Sequence, residues 1–207
     1  MTKSVLVPWS GGLDSTFLIY SLLEAGDQVD ALYVRIECNE DKTKRELASI
    51  ENLKPFFAKY TLFNYIGESS VSPIFNNGSL SLQQPILFLM ALLYAVKSHN
   101  QEVSIGYVLG DDAISFIGDI SKVWNSFNGI CHNGLPKITF PLSKISKAHI
   151  VNELPPEILK EVSWCETTTK PKRKKSTHTQ FCDNNDCKPC RKLTYLNLKD
   201  SITEKIG

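Results

Sequence analysis

Six consecutive residues near the start of the chain, Ser10-Gly11-Gly12-Leu13-Asp14-Ser15, have the composition of a phosphate-binding turn. They follow the apolar run Ser4–Pro8 and precede the periodic apolar stretch 16–26, which predicts a strand, a turn and a helix. Adjacent glycines let the backbone approach an oxyanion, Ser10 and Ser15 add hydroxyl donors, and a helix N-terminus adds partial positive charge. Asp14 repels phosphate, so we expect it either to cap the helix or to help hold Mg²⁺. The competing interpretation is a plain strand-to-helix turn with glycine at a positive φ and Asp or Ser as N-cap.

Four cysteines near the C-terminus have the spacing of a metal site: Cys165-x16-Cys182-x4-Cys187-x2-Cys190. Four thiolates suffice for a closed tetrahedral Zn²⁺ site, which is typical of structural zinc. An iron–sulfur cluster uses the same ligands, His178 could replace one thiolate, and buried unliganded cysteines are the plain alternative. A redox Cys-x-x-Cys pair would need a thioredoxin-like strand–helix junction, which this segment lacks.

A basic run, Lys170–Lys175, lies between the first two of these cysteines. From Cys165 to Cys190 there are six Lys or Arg and three Asp or Glu, so this segment carries +3 while the whole chain carries +1. The run is either a solvated loop or a contact for phosphate, nucleic acid or an acidic protein partner.

The predicted elements alternate between strands and helices, which indicates an α/β fold with a parallel sheet covered on both faces. The predicted strands are Ser4–Pro8, Val29–Ile36, Tyr60–Ile66, Glu102–Leu109 and Lys137–Pro141, and the predicted helices are 16–26, Lys42–Leu53 ended by Pro55, Gln84–Ser98, Asp111–Phe127 and Ser143–Leu154. A long loop is expected over Gly67–Ser81. The composition turns polar and cysteine-bearing near Pro155, which predicts an α/β domain over residues 1–155 and a zinc-binding segment with a terminal helix over 156–207.

The overall composition fits an ordinary globular domain: 207 residues, 42% hydrophobic and 22% charged, with 23 Lys and Arg against 22 Asp and Glu. This balance excludes a wholly basic nucleic-acid binder and an acidic disordered chain. The apolar run Pro85–Val96 is 12 residues long, too short to cross a bilayer. The N-terminus lacks the apolar region of a secretory signal, so we expect a cytoplasmic protein with no membrane partner.

Both end motifs carry a family resemblance. The turn Ser10–Ser15 resembles the SGGxDS pyrophosphate loop (PP-loop) of N-type ATP pyrophosphatases, and Trp164-Cys165 with the later cysteines and Arg191 resembles the zinc signature of the 7-cyano-7-deazaguanine synthase family. Smaller similarities lie between them, at Pro85–Ala95, at Ile105-Gly106 with Asp112, and at Pro141 with Lys147. The resemblance implies an adenine-nucleotide α-hydrolase-like fold with a Rossmann-like parallel sheet, and by analogy a homodimer.

The resemblance also implies a reaction and roles for individual residues. It implies an ATP-dependent carbon–nitrogen ligase that adenylates 7-carboxy-7-deazaguanine for attack by ammonia. Ser10, Gly11, Gly12, Leu13, Asp14 and Ser15 would hold the pyrophosphate of ATP with Mg²⁺, and Cys165, Cys182, Cys187 and Cys190 would hold Zn²⁺. Lys147 is a candidate phosphate contact, or else a solvated lysine. Asp112 is a candidate for reading guanine-like N–H groups, or else a helix N-cap.

The chain departs from that family around the expected substrate pocket. Gln84-Pro85 stands where the family has an Arg-Asn pair, and the stretch after Asp112 lacks a Ser-Gly-Tyr-Pro-Asp-Cys-Arg-like segment. We therefore expect ATP activation to be retained, with a product that is a nitrile, an amide or a conjugate with another amine. Two other hypotheses stay open: a PP-loop enzyme that modifies a tRNA base, and a non-catalytic nucleotide-binding partner protein in a modification or phage-defence system.

Overall fold

A computed structural model of the chain describes residues 2–36, 40–72, 80–132, 134–163 and 198–206. Five strands form one sheet in the order β3-β2-β1-β4-β5, and each neighbouring pair runs parallel. The strands are β1 (Ser4–Pro8), β2 (Gln28–Ile36), β3 (Phe63–Val71), β4 (Glu102–Ser104) and β5 (Lys137–Thr139). The predicted α/β fold with a parallel sheet is therefore confirmed.

The described helices are α1 (Leu13–Glu24), α2 (Glu40–Phe57), α3 (Leu80–Ala95), α4 (Ile117–Ile130), α5 (Lys147–Glu153), α6 (Pro156–Leu159) and α7 (Leu198–Ile206). A 3-10 turn over Asp112–Phe116 leads into α4. None of these helices is long and apolar enough to cross a bilayer.

The two faces of the sheet are covered by different helices because side chains alternate along each strand. Val5 and Val7 of β1 pack in one apolar cluster with residues of α1, α2, α5, α6 and α7, whereas Leu6 packs in the other with residues of α3 and α4. Residues 156–163 and 198–206 thus contribute to the same core as β1. The division of the chain at residue 155 remains a prediction, because most of the segment beyond it lies outside the described residues.

Several predicted boundaries were wrong. Strand β3 runs on to Val71, so residues 67–71 are strand and not loop; it is an edge strand, where polar side chains such as Ser69 and Ser70 can face water. Helix α2 continues through Pro55 to Phe57. Pro55 removes one backbone donor from the last turn, and the burial of Leu53 and Phe57 on the same face favours the continued helix.

The other corrections concern the later elements. Strand β4 ends at Ser104 and not at Leu109, since the backbone then leaves the sheet and the Leu109 N–H donates to the Ile145 carbonyl over 2.9 Å. The region from Asp111 begins with the 3-10 turn instead of a regular helix. Helix α5 begins at Lys147, where the Ser146 hydroxyl accepts the His149 N–H as an N-cap.

Candidate functional site: the loop between β1 and α1

The predicted turn lies where β1 delivers it, at the carboxyl edge of the sheet. Gly11 has φ +68°, a left-handed conformation that glycine adopts without a steric penalty. A Cβ at this position would lie 2.9 Å from Cβ and Oγ of Ser49 and 3.0 Å from the Glu46 carbonyl oxygen. Glycine is therefore required here for its conformation and for the close approach of α2. The positive φ was expected under the plain-turn interpretation, whereas the approach of α2 was not predicted.

Two serine hydroxyls bridge the two ends of the turn. The Oγ atoms of Ser10 and Ser15 are 3.2 Å apart, the Ser10 N–H donates to Ser15 Oγ over 3.3 Å, and the Gly12 N–H donates to Ser10 Oγ over 3.3 Å. Each hydroxyl is only partly buried and can donate as well as accept. The pair can therefore turn its protons toward an anion that enters the turn.

Helix α1 begins at Leu13, with Gly12 as its N-cap and no side-chain hydrogen bond at that cap. The positive end of the helix dipole thus points at the turn, and the cap residue supplies no side-chain acceptor there. Asp14 does not cap the helix, so one of the two roles expected for it is wrong. Its side chain is engaged elsewhere.

Asp14 belongs to a half-buried ionic cluster with Lys147 and Asp111. Lys147 Nζ lies 2.6 Å from Asp14 Oδ2 and 3.6 Å from Asp111 Oδ1, and the three side chains are only 17%, 21% and 24% exposed. Burial on its own would lower the pKa of Lys147, but the two carboxylates outweigh it and raise that pKa above its usual value. Lys147 is therefore a charged ammonium at neutral pH, next to the Ser10–Ser15 turn.

The segment after β4 completes this edge of the site. A Cβ on Gly106 would lie 3.2 Å from the Asp14 carbonyl oxygen and 3.3 Å from Ser15 Cα. The absence of a side chain at Gly106 lets this segment pass directly against the first turn of α1. Asp111 follows five residues later and thereby reaches Lys147.

Asp112, the predicted acidic site residue, is exposed in the first turn of the 3-10 segment. The N-cap of that segment is Asp111, so the N-cap interpretation of Asp112 is wrong by one residue. The acidic neighbour that contacts Lys147 is also Asp111. A role for Asp112 in reading a base remains a prediction.

The contacts that Ser49 and Ser163 make at the turn were not predicted. Ser49 Oγ lies 2.8 Å from the Gly11 carbonyl oxygen and 2.5 Å from the Glu161 carbonyl oxygen, so one hydroxyl proton serves two acceptors. The Ser163 N–H donates to the Gly11 carbonyl over 2.8 Å, and Ser163 forms a parallel bridge with Gly12. Ser49 and Ser163 belong to no local sequence motif, so the sequence alone could not indicate that the fold brings them to the turn.

The predicted metal ligands Cys165, Cys182, Cys187 and Cys190 and the basic run Lys170–Lys175 lie outside the described residues. Within the described ranges, no group of three or more His, Cys, Asp or Glu side chains could hold a metal ion. The donor set at the turn nevertheless fits a magnesium–polyphosphate: hydroxyls, backbone N–H groups and an ammonium for the phosphates, and the oxygen ligands of Asp14 and Asp111 for a hard cation.

Comparison with known proteins gives matches among solved structures only, and one of them is described here. No protein-family model matches the sequence, and no curated protein matches it. Among solved structures, the U34-tRNA thiolase NcsA from Methanococcus maripaludis, solved with its [4Fe-4S] cluster, matches 99% of this chain and 69% of its own at 18% identity, with a TM-score of 0.46.

Proposed function

We propose that this chain is a PP-loop ATP pyrophosphatase, which transfers the adenylyl group of ATP to an acceptor and releases pyrophosphate. The observation that carries the proposal is the turn itself: Gly11 at positive φ, the paired hydroxyls of Ser10 and Ser15, and the start of α1 meet at the carboxyl edge of β1. Open parallel sheets bind ligands at this edge.

In this reaction an acceptor oxygen attacks the α-phosphorus of ATP, and the bond from that phosphorus to the α,β-bridging oxygen breaks. Pyrophosphate leaves with the electron pair, and the acceptor becomes an adenylate. The turn would bind the β- and γ-phosphates through its N–H groups and hydroxyls, which stabilises charge on the leaving group. Mg²⁺, held by Asp14 and Asp111, would neutralise part of that charge.

We propose two classes of molecule as the acceptor of the adenylyl group. One is an RNA base, activated at its carbonyl oxygen as in tRNA modification; the positively charged segment 170–175 supports a polyanionic acceptor. The other is the carboxylate of 7-carboxy-7-deazaguanine, supported by the resemblance of the end motifs. The chain departs from the family at Gln84-Pro85 and in the stretch after Asp112. These departures weaken the case for the second class of acceptor, because the family carries an Arg there that this chain lacks.

The test is pyrophosphate release from Mg-ATP, measured with tRNA transcripts in one series and with 7-carboxy-7-deazaguanine plus ammonium in another. We expect release in one series only, and loss of at least about 100-fold in the double variant Ser10→Ala plus Ser15→Ala, because two phosphate donors are removed. Ser126→Ala is the matched control, since its exposed hydroxyl donates to the Lys122 carbonyl of its own helix. Undiminished release by the double variant would contradict the proposal.

We also propose one Zn²⁺ per chain at Cys165, Cys182, Cys187 and Cys190, with a structural role. Elemental analysis of anaerobically purified protein separates this from an iron–sulfur cluster: one zinc and no iron supports it, and about four irons with sulfide contradicts it. Cys187→Ala should lose the metal while ATP binding is retained. Cys131, an exposed free thiol of the described part, is the matched control.

Two partner proposals remain from the sequence. The homodimer implied by the resemblance predicts a mass near 46 kDa in light scattering, twice the chain mass of 23.2 kDa. Contact between segment 170–175 and nucleic acid predicts RNA affinity that falls steeply with salt concentration.

A further inference from the structure

Arg45 lies in the part of α2 that packs against the phosphate-binding turn. It is one helical turn before Ser49, whose hydroxyl bonds the Gly11 carbonyl, and next to Glu46, whose carbonyl oxygen would lie 3.0 Å from a Cβ on Gly11. Residues i and i+4 share a helix face, so Arg45 and Ser49 face the same side of α2.

The direction of α2 brings the Arg45 side chain toward the ligand-binding edge. Helix α2 follows β2, so its N-terminus is at the carboxyl edge of the sheet, level with the turn. Long side chains in a helix lean toward the helix N-terminus. We therefore expect the guanidinium to lie further toward that edge than Ser49.

Two nitrogens of Arg45, Nε and Nη2, are buried and have no hydrogen-bond partner among the described residues. No carboxylate of the described ranges forms an ion pair with Arg45, whereas Arg35, whose Nε is also buried without a partner, has Nη1 3.6 Å from Glu68. Buried donors are almost always satisfied, and an uncompensated buried charge is strongly destabilising. Such a group is typical of a site that a ligand completes.

The charges already present at the turn favour an anion as that ligand. The Lys147 ammonium faces two carboxylates, Asp14 and Asp111, so this cluster sums to −1. The serine hydroxyls and backbone N–H groups are neutral. A polyphosphate therefore needs a further cation besides Mg²⁺. Arg45 is a half-buried cation on the helix that packs against the turn, and it has no ion pair among the described residues.

We propose that Arg45 binds the pyrophosphate portion of ATP, with Nε and Nη2 as a two-pronged donor to phosphate oxygens. This inference rests on the proposed function and adds a binding residue that no local motif marks. It also assigns to α2 a role in substrate binding besides its support of Gly11.

The test compares Arg45→Met with the control Lys44→Gln. Lys44 is the adjacent residue, 75% exposed and paired with Glu40 over 3.8 Å, so its substitution removes the same charge from the same helix. The probes are Mg-pyrophosphate and Mg-ATP, titrated calorimetrically into the full-length protein. We expect R45M to lower the affinity for both probes by about 10- to 100-fold, which is the contribution of a charge-assisted pair of hydrogen bonds. K44Q should lower the affinity by less than about twofold.

A second measurement separates binding from packing. R45M without ligand should unfold at the same temperature as the parent chain or at a higher one, because it removes a buried charge without a partner. Stabilisation by Mg-ATP should shrink in R45M and not in K44Q. A lower unfolding temperature without ligand, together with unchanged pyrophosphate affinity, would assign Arg45 to packing and overturn the inference.

The same titration separates this inference from the proposed function. If the parent chain binds both probes, the variant Ser10→Ala plus Ser15→Ala loses them, and R45M does not, then the inference fails while the function stands. If the parent chain binds neither probe, both fail.

Discussion

At the scale of single residues, Gly11 is the position where the least change should have the largest effect. Gly11→Ala puts a Cβ in the left-handed region and within 3.0 Å of two atoms of Ser49 and one of Glu46. We expect the free energy of unfolding to fall by about 2–4 kcal/mol, from backbone strain and overpacking combined. Pyrophosphate binding should be lost even where the protein is still folded.

Gly12 offers the matched control for this prediction. Its φ is −78°, and an added Cβ would lie 3.2 Å from Ser10 Oγ, the end of a side chain that can rotate, and 3.7 Å from the Ser163 carbonyl oxygen, an ordinary contact distance. Urea unfolding should therefore show a loss of less than about 1 kcal/mol for Gly12→Ala. Equal losses for the two variants would show that Gly11 is not under the constraint described.

Lys147 is expected to act as the counter-charge of two aspartates. Lys147→Gln leaves Asp14 and Asp111 facing each other, so the free energy of unfolding should fall by about 1–3 kcal/mol, a range reduced because the cluster is partly solvated. Adding Asp111→Asn removes the repulsion and should restore part of the loss. A double-mutant cycle measures this coupling, which should exceed about 0.5 kcal/mol; additive losses would contradict it.

At the scale of elements, the Ser10–Ser15 turn is held by contacts with α2 and with the chain that follows α6. The link is Ser49, which bonds the carbonyls of Gly11 and Glu161. Ser49→Ala leaves two carbonyls with one donor fewer, so we expect a loss of about 1–2 kcal/mol in unfolding free energy and weaker ATP binding.

Ser126→Ala controls for the loss of a hydroxyl in a helix, because Ser126 is exposed and bonds within α4. The measurement is urea unfolding with and without Mg-ATP. An S49A variant that unfolds like S126A under both conditions would show that the α2 contact does not support the turn.

The sequence patterns predicted the strand, turn and helix that carry the site. They did not predict most of the contacts between the site residues. The Ser10–Ser15 turn was predicted correctly because its glycine, its hydroxyls and its neighbouring strand and helix are local. Lys147 was marked only by resemblance, and its pairing with Asp14 spans 133 residues. Asp111 was passed over for Asp112, since two adjacent aspartates look alike until the 3-10 turn fixes which one faces inward. Ser49 and Arg45 had no local signal at all.

At the scale of the whole molecule, the edge of the sheet opposite the site is held by a buried carboxylate. Asp30 of β2 accepts hydrogen bonds from Asn64 over 2.8 Å and Asn100 over 3.0 Å, and lies 2.8 Å from His99 Nε2. Burial would raise the pKa of Asp30, but these hydrogen bonds, with a smaller contribution from the charge of Lys97, lower it overall. This network joins β2, β3 and the chain entering β4.

A lowered carboxylate pKa stabilises the fold above the unfolded-state value, about 3.9, and the gain is lost as the pH falls through the folded-state pKa. Asp30→Asn should therefore be less stable than the parent chain at pH 7, by about 1–3 kcal/mol, with a difference that narrows below about pH 4. Urea unfolding from pH 2.5 to 7 measures this. Asp41→Asn, at an exposed position, is the control. A stability difference between Asp30→Asn and the parent chain that stays constant across this pH range would refute the lowered pKa of Asp30.

The contact between Gly11 and Ser163 has a consequence for how this architecture can be altered. Ser163 is bonded to the turn, and Leu198 and Ile202 of α7 lie in the core. The 34-residue interval between Ser163 and Leu198 is therefore anchored at both of its ends. The entropy of closing a chain between fixed ends grows only slowly with its length. A change in the length of this interval alone should accordingly cost the described part of the fold little free energy of unfolding.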